Sequence, residues 1–285
     1  MKKVLLILLY LPFIGFGQIT YVPDDAFENY LEAMGYGNGI PLDDYVNTSN
    51  INTLTYLDVS VTAPIYDLTG IEDFTTLTSL NCYSNQLTSL DLSQNTALTY
   101  LFCGGNQITS LNLSQNTALT GLYCYSNQLT SLDVSQNTAL TNLNCGGNQI
   151  TSLNVSQNTA LTSLYCGGNQ ITSLDVSQNT ALTDLFCSNN NLDNLDVSNN
   201  LALTFLNCGN QLTSLDVSQN TALTNLSCYS NQLTSLDVSY NTALYYLNTT
   251  DNNNLDCIQV SDISWANNIT QLSLAPQHYF SLICP

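Results

Sequence analysis

A unit of 21 residues recurs along this chain, and this periodicity limits the possible folds more than any other feature of the sequence. Residues 77–97 read LTSLNCYSNQLTSLDLSQNTA, and residues 98–118 read LTYLFCGGNQITSLNLSQNTA. Further copies begin at Leu119, Leu140, Leu161, Leu182, Leu203, Leu223 and, in an eroded form, Leu244. A tandem array with this period is typical of a solenoid, in which each unit packs only against its neighbours.

The apolar positions within one unit predict strands rather than helices. In the first copy they are Leu77, Leu80, Cys82, Leu87, Leu90 and Leu92. The step of two residues from Leu80 to Cys82 matches a strand, whose alternate side chains face the same side. No unit leaves enough uninterrupted residues for a helix. We therefore predict an all-β solenoid with two short extended segments per 21-residue coil and one parallel β-sheet. Strands about 4.8 Å apart would make nine coils about 45 Å long.

Two sequence patterns resemble a known family. The first half, LxxLxCxxNxL, resembles the strand signature of leucine-rich-repeat proteins, and the second half, LTSLDVSQN, nearly repeats it. This nesting resembles the short 21-residue bacterial type, as in secreted surface proteins of Bacteroidetes. The segment after Asn252 resembles a C-terminal cap of such arrays. Residues 22–36 resemble the N-terminal cap, with a helix from about Asp24 to Met34. The resemblance implies a protein ligand, with a polysaccharide as the second choice.

The start of the chain predicts export. Two lysines precede an apolar run from Val4 to Phe16, and small residues follow, which is typical of a secretory signal peptide. A membrane anchor or a buried core segment is the alternative. No later run is long and apolar enough to span a bilayer. We predict a signal peptide at 1–17, an N-terminal cap at 18–50, a transitional repeat at 51–76, the solenoid at 77–251 and a C-terminal cap at 252–285. The protein would be secreted or held at the cell surface.

The charge composition restricts the partners. Lys2 and Lys3 are the only basic residues, so the processed chain would carry 21 acidic side chains and no Lys or Arg. Such a surface repels nucleic acid and anionic lipid, and we expect neither as a partner. We expect a monomer without membrane insertion or a cofactor. Catalysis is also not expected, because the single histidine, His278, lies in the C-terminal cap away from the array. A glycosidase using paired carboxylates is the enzymatic alternative left open.

The ten cysteines fall into two groups. Eight occupy the same position of their coils: Cys82, Cys103, Cys124, Cys145, Cys166, Cys187, Cys208 and Cys228. The matching position of the second half is held by Leu92 or Val134, so we predict that these are buried free thiols. A parallel row suits neither tetrahedral metal ligation nor disulfide torsions. Cys257 and Cys284 lie outside the row, and we predict a disulfide between them if the protein is exported.

Two polar rows accompany the cysteines. The first is Asn85, Asn106, Asn127, Asn148, Asn169, Asn190, Asn210 and Asn231, for which the family resemblance implies hydrogen bonds to the backbone of adjacent coils. The second is Asp91, Asn112, Asp133, Asn154, Asp175, Asp196, Asp216 and Asp237. We predict no metal site and favour solvated or backbone-bonded carboxylates in this second row. Calcium at Asp91, Asp133 and Asp175 is the alternative, because calcium accepts several carboxylate oxygens.

The two halves of the unit differ in how much they vary. The second half is almost the same in every coil, whereas the outward positions of the first half vary and are rich in aromatic residues. Exposed aromatic side chains on a rigid sheet are typical of recognition surfaces. We predict a ligand-binding face that comprises Tyr83, Tyr100, Phe102, Tyr123, Tyr125, Tyr165, Asp184, Phe186, Phe205, Tyr229 and Tyr246. The alternatives are a structural or adhesive rod without a specific ligand, and an ice-binding solenoid suggested by rows of threonine.

Overall fold

The protein is a parallel β-solenoid in a computed structural model that describes residues 18–60, 63–267 and 269–284. The predicted signal peptide lies outside these residues. The strands are β1 Ile19–Tyr21, β2 Tyr45–Asn47, β3 Tyr56–Asp58, β4 Ser79–Asn81, β5 Tyr100–Phe102, β6 Gly121–Tyr123, β7 Asn142–Asn144, β8 Ser163–Tyr165, β9 Asp184–Phe186, β10 Phe205–Asn207, β11 Asn225–Ser227, β12 Leu236–Asp237, β13 Tyr246–Asn248, β14 Cys257–Gln259, β15 Gln271–Ser273 and β16 Tyr279–Ser281. The helices are α1 Asp25–Ala33, α2 Thr48–Ile51, a single 3-10 turn at Ile71–Asp73 and α3 Ile263–Ala266.

One eleven-stranded sheet runs the length of the solenoid, in the order β3 to β11, then β13 and β15, with all neighbours parallel. The register aligns the central leucine of each strand, as Leu101 with Leu122 and Leu122 with Leu143. These leucines are buried, while the residues that flank them point to the outer face, because successive side chains alternate across a strand. The first half of each coil thereby presents two outward positions per strand.

The second half of each coil is extended but forms a regular strand at few places among the described residues. Its apolar side chains, such as Leu111 and Leu113, are buried in the core. Coil-to-coil hydrogen bonds join it at single points, as from the amide nitrogen of Gln107 to the carbonyl oxygen of Leu87 at 2.9 Å. Near the C-terminus, β12 pairs with β14 and β14 with β16. The prediction of a parallel-sheet solenoid is confirmed, and its continuous sheet consists of the first-half strands, extended by β3 at one end and β15 at the other.

The N-terminal helix packs across the first end of the core. The side chain of Asp24 caps α1, because its Oδ1 accepts hydrogen bonds from the amides of Ala26 and Phe27, both at 3.0 Å. Its Oδ2 accepts from the amides of Tyr66 and Asp67, which lie in the segment before the first full coil. Phe27 is buried, so the helix covers apolar side chains that the first coil would otherwise expose.

The C-terminal segment closes on the last coil. A disulfide joins Cys257 and Cys284, whose Cα atoms are 5.7 Å apart, as the sequence predicts. The expectation that His278 lies away from the array is wrong: its Nδ1 is 2.8 Å from the hydroxyl oxygen of Thr249 in the ninth coil. Sequence alone does not reveal this contact, because the two residues meet only when the chain folds back. In the described residues, no helix is long and apolar enough to cross a membrane.

Candidate ligand-binding face

The predicted aromatic residues lie on the outer face of the long sheet or in the turns that directly follow its strands. Tyr83 and Tyr100 are exposed, and the other nine predicted residues are half-buried. Six of the half-buried side chains contact a neighbouring ring, which contributes to their burial: Phe102, Tyr123, Tyr125, Tyr165, Phe186 and Phe205. The face therefore combines accessible ring edges with side chains whose positions are already restricted.

Six of the predicted residues form two stacks. The first stack is Tyr100, Phe102 and Tyr123, with ring centroids 6.3 Å apart for the first pair and 4.6 Å apart for the second. The second stack is Tyr165, Phe186 and Phe205, with both centroid separations at 4.3 Å. All four pairs are nearly parallel, with interplanar angles of 20° or less. Contacts of this kind add roughly 0.5–1.5 kcal/mol beyond simple burial.

A notch separates the two stacks at β7, where the two outward residues are Asn142 and Asn144. Its volume is about 220 Å³, and it is lined by Tyr123, Asn142, Leu143, Asn144, Ser163 and Tyr165. Hydrogen bonds hold both asparagine side chains. The Oδ1 of Asn142 accepts from the Thr141 hydroxyl at 2.9 Å, and that of Asn144 accepts from the amide of Gly146 at 3.2 Å. The notch thus has aromatic walls and a polar floor.

Asp184 lies beside this notch. It pairs in register with Ser163 of the adjacent strand β8, which lines the notch, so Asp184 is one strand away from this edge and two strands away from the asparagine floor on β7. The Thr183 hydroxyl donates to its Oδ2 at 2.7 Å. Burial raises the pKa of the Tyr165 phenol, and the nearby Asp184 charge raises the same pKa further. The sequence predicts Asp184 as part of the face but does not reveal its place at the edge of a notch.

The turn tyrosines are arranged differently. Tyr83 and Tyr125 have ring centroids 5.7 Å apart, and both approach the glycine pair of the coil between them. A Cβ added at Gly104 would lie 3.0 Å from both the ring and the carbonyl oxygen of Tyr125, so a side chain there would displace this ring. The hydroxyl of Tyr229 accepts from Asn189 at 3.3 Å. These three tyrosines, and Tyr246 in β13, stand apart from the two stacks.

The aspartate row does not converge on a common point. In each case the aspartate Oδ1 accepts a hydrogen bond from the backbone amide of the serine two residues later. The distance is 2.9 Å in the pairs Ser93–Asp91, Ser135–Asp133 and Ser177–Asp175. Hydrogen bonds from these serines lower the pKa of each carboxyl. This is the backbone-bonded arrangement that the sequence favours over calcium.

A different acidic group comes together at the N-terminal helix. In the part of the chain that the structure describes, the side chains of Asp25, Glu28 and Asp44 have ligand atoms within 4.8 Å of one another. Glu28 is fully buried, and its two carboxylate oxygens accept from the amides of Asp43 and Asp44. Burial raises the pKa of Glu28. The carboxylate therefore serves to bind the backbone of the following loop.

The cysteine row forms the predicted column of buried free thiols. Burial raises the pKa of Cys82, Cys145, Cys187 and Cys228 to about 12, and it also raises the pKa of the four thiols between them well above the ordinary value. A thiol that remains protonated at neutral pH is not an effective nucleophile. These residues therefore belong to the core.

The first asparagine row bonds adjacent coils as the family resemblance implies. The Nδ2 of Asn148 donates to the carbonyl oxygens of Cys124 and Cys145, at 3.1 and 3.0 Å, and its Oδ1 accepts from the amide of Leu129 at 3.0 Å. A single side chain thus satisfies backbone groups of its own coil and of the preceding coil.

Sequence reasoning overlooked a second asparagine row in the other half of each coil. It consists of Asn95, Asn116, Asn137, Asn158, Asn179, Asn200, Asn220 and Asn241, all fully buried. The Nδ2 of Asn116 donates to the carbonyl oxygens of Leu92 and Asn95, both at 3.0 Å. The signal was present in the sequence, because asparagine recurs at this position as regularly as in the first row.

Comparison with known proteins identifies relatives of this solenoid. Internalin J of Listeria monocytogenes is 44% identical over 76 residues, which are 27% of this chain and only 8% of that protein. The solved functional domain of InlJ from Listeria monocytogenes, which includes a cysteine ladder, is 35% identical. Its TM-score is 0.52, and the match covers 90% of this chain and 71% of that domain.

A leucine-rich-repeat protein of Leptospira interrogans shares the fold, with 24% identity, a TM-score of 0.60 and coverage of 67% of this chain and 56% of that one. No family model matches the sequence. The match to the InlJ domain extends over most of both chains, at more than 30% identity. The protein therefore belongs to the leucine-rich-repeat family, as a relative of the Listeria internalins.

Proposed function

We propose that this protein is an exported, non-catalytic binding protein, which holds a protein ligand on the outer face of β5 to β10. The observation that carries this proposal is the pair of aromatic stacks with a notch between them. Aromatic residues are enriched among those that contribute most to protein interfaces, because they bury a large area with few rotatable bonds. On this face the rings are also ordered before a ligand arrives, which lowers the entropic cost of binding.

The contrast between the two halves of the coil supports this choice of face. Solenoids present extended surfaces for binding other proteins, and the fold itself leaves both halves exposed. The second half repeats Thr, Ser and Asp or Asn with little change from coil to coil, whereas the first half differs in every coil. A specific ligand requires a surface that varies along its length, and only the first half supplies one.

The chemistry of the chain supports binding rather than catalysis. The eight row cysteines are buried with a raised pKa, so they do not supply a nucleophile. His278 is buried and hydrogen-bonded to Thr249. Export is supported by the apolar N-terminal segment and by the Cys257–Cys284 disulfide, since disulfides persist in oxidising compartments.

The proposal is tested by a variant with Phe102→Ser, Tyr123→Ser, Tyr165→Ser and Phe186→Ser. Residues 18–285 are screened on arrays of purified extracellular proteins and polysaccharides, and each saturable hit is measured by surface plasmon resonance. Truncation of a central interface residue typically costs 1 kcal/mol or more, so we expect a loss of at least a hundred-fold in affinity.

The matched control carries Asn112→Ser, Asp133→Ser, Asp175→Ser and Asp196→Ser on the other half of the same coils. It should bind as the wild type does, and both variants should keep the wild-type far-UV circular dichroism. Unchanged binding by the aromatic variant would contradict the proposed face. Absence of any saturable protein hit would contradict the proposed function and favour a structural rod.

A further inference from the structure

We propose that the notch between Tyr123 and Tyr165 is a subsite for one positively charged side chain, a guanidinium or an ammonium group, of the protein ligand. The inference rests on the proposed function and adds the chemistry of the ligand at one defined place. Three features of the notch carry it: the direction in which its aromatic rings face, the charge around it, and the polar atoms of its floor.

The stacking geometry determines which faces of the Tyr123 and Tyr165 rings are directed into the notch. Phe102 and Tyr123 stack along the row of strands with an interplanar angle of 8°, and Tyr165 and Phe186 do so with an angle of 14°. One face of Tyr123 is therefore covered by Phe102, and one face of Tyr165 is covered by Phe186. The uncovered faces of Tyr123 and Tyr165 are directed toward each other across Asn144.

The spacing between these faces suits one small cation. Tyr123 lies in β6 and Tyr165 in β8, with β7 between them, and two strand spacings amount to about 10 Å. A group midway between the rings would lie about 5 Å from each centroid, within the range of about 6 Å for a cation–π interaction. The guanidinium group is flat and stacks on aromatic faces, so it fits such a slot particularly well.

The charge distribution favours a cation over any other occupant. Asp184 is the only acidic residue at the two outward strand positions of residues 77–251, and it adjoins Ser163 at the edge of the notch. Residues 18–285 contain no Lys or Arg and all 21 acidic side chains. The whole molecule therefore attracts basic partners and repels anionic ones, and this attraction weakens as salt is added.

The floor supplies further acceptors. The Oδ1 atoms of Asn142 and Asn144 each accept one hydrogen bond from within the chain, which orients them. A carboxamide oxygen has two lone pairs, so each can accept a second N–H donor from a ligand. A neutral sugar ring would also stack on the two tyrosines and donate hydroxyl hydrogen bonds to acceptors such as Asp184, but the net charge of the molecule would not contribute to its binding.

The subsite is tested with two peptides, Ac-Gly-Gly-Arg-Gly-Gly-NH2 and its citrulline counterpart, which has nearly the same shape but no charge. Each is titrated into residues 18–285 in 20 mM and 300 mM NaCl, and the tyrosine ring resonances are followed by NMR. We expect the arginine peptide to bind at least ten-fold more tightly at low salt and to lose most of this advantage at high salt. The largest shifts should occur at Tyr123 and Tyr165.

Two variants locate the effect. Asp184→Asn removes the adjacent charge with almost no change in shape and should weaken arginine binding about three-fold or more. Asn144→Tyr places a ring in the notch, joins the two stacks and should abolish binding. The control Asp193→Asn removes the same charge from the exposed second half of the same coil and should leave the affinity unchanged.

Equal affinity for the arginine and citrulline peptides would overturn the inference, as would an Asp184→Asn variant that binds arginine normally. Binding of a neutral tetrasaccharide such as cellotetraose at Tyr123 and Tyr165, with no preference for arginine, would instead identify a glycan subsite. The proposed face fails separately, when the variant with four serines retains its protein ligand, and the proposed function fails when no saturable protein ligand is found. If that variant loses the ligand but arginine and citrulline are not distinguished, only the subsite is wrong.

Discussion

The hydroxyl oxygen of Thr249 lies 2.8 Å from Nδ1 of His278, and both residues are buried. Thr249 occupies in the ninth coil the position that Cys82 occupies in the first. The row of cysteines is therefore followed by a threonine, whose hydroxyl group can donate or accept a hydrogen bond. His278 also approaches the carbonyl oxygen of Asn252 with Nε2, at 3.3 Å. The last coil is thereby joined to the C-terminal segment through polar contacts.

Replacing Thr249 with Val should lower the free energy of unfolding by about 1–3 kcal/mol, because the imidazole would be left buried without its partner. Urea denaturation at pH 7, followed by circular dichroism, measures the change. Thr270→Val is the control, since the Thr270 hydroxyl is exposed and makes only a 3.4 Å contact. Equal stability of Thr249→Val and the wild type would show that the contact does not hold the C-terminal segment.

Replacing Asn148 with Ala should destabilise the middle of the solenoid by about 2–4 kcal/mol. The substitution leaves the amide of Leu129 and the carbonyl oxygens of Cys124 and Cys145 without this partner, and buried backbone groups are costly to leave unpaired. Gln149→Ala changes an exposed neighbour and serves as the control. Denaturant midpoints provide the comparison, and a loss below about 0.5 kcal/mol for Asn148→Ala would contradict the proposed role of the row.

The protein should lose stability steeply between about pH 9 and pH 12. Burial raises the pKa of the Cys145 thiol from 9.0 to about 12, so this thiol stays protonated in the folded state while it ionises in the unfolded chain. Its contribution is fully present below pH 9 and is lost as the pH rises toward 12. Each such thiol changes the unfolding free energy by about 1.4 kcal/mol per pH unit in this window.

Cys145→Val tests this origin directly, because valine already occupies the equivalent position of second halves, for example at Val134. Urea unfolding at intervals from pH 8 to pH 11 should give a pH slope that is smaller by about 1.4 kcal/mol per unit than in the wild type. Leu113→Val, which changes a buried core residue and no titratable group, should keep the wild-type slope. An unaltered slope in Cys145→Val would assign the alkaline transition to other groups, such as the tyrosines.

Breaking the Cys257–Cys284 disulfide should loosen the C-terminal segment without unfolding the array. The bridge closes a loop with a sequence separation of 27, for which chain entropy predicts a loss of about 3.5 kcal/mol. Hydrogen exchange measured by mass spectrometry in Cys284→Ser should increase over residues 257–284. Protection of the strands at 142–144 and 163–165 should be unchanged, because each coil is stabilised chiefly by its neighbours. Loss of protection throughout would contradict this local role.

Several features of the fold followed from the sequence because each depends on local spacing. The position of Leu101 relative to Cys103 predicts a strand with both side chains inside, and the structure buries both. Asn148 was expected to bond adjacent coils, and it does. Asparagine recurs in the Asn137 row with the same regularity, but the sequence does not show that these side chains are fully buried. A turn residue and a buried coil-to-coil donor have the same sequence pattern, so burial distinguishes them.

The repeat pattern alone predicts that this chain forms a solenoid, which residues face its core, and that one half of each coil varies while the other does not. The 21-residue period carries all of this, because equivalent residues in stacked coils become neighbours. The aromatic residues that contact one another, and the place where these contacts stop, follow only from the folded arrangement of the strands. Tyr123 and Tyr165 are 42 positions apart in sequence, yet they form the two walls of one notch. Ring orientation and the gap at Asn144 depend on side-chain packing across strands, which a repeat pattern does not specify.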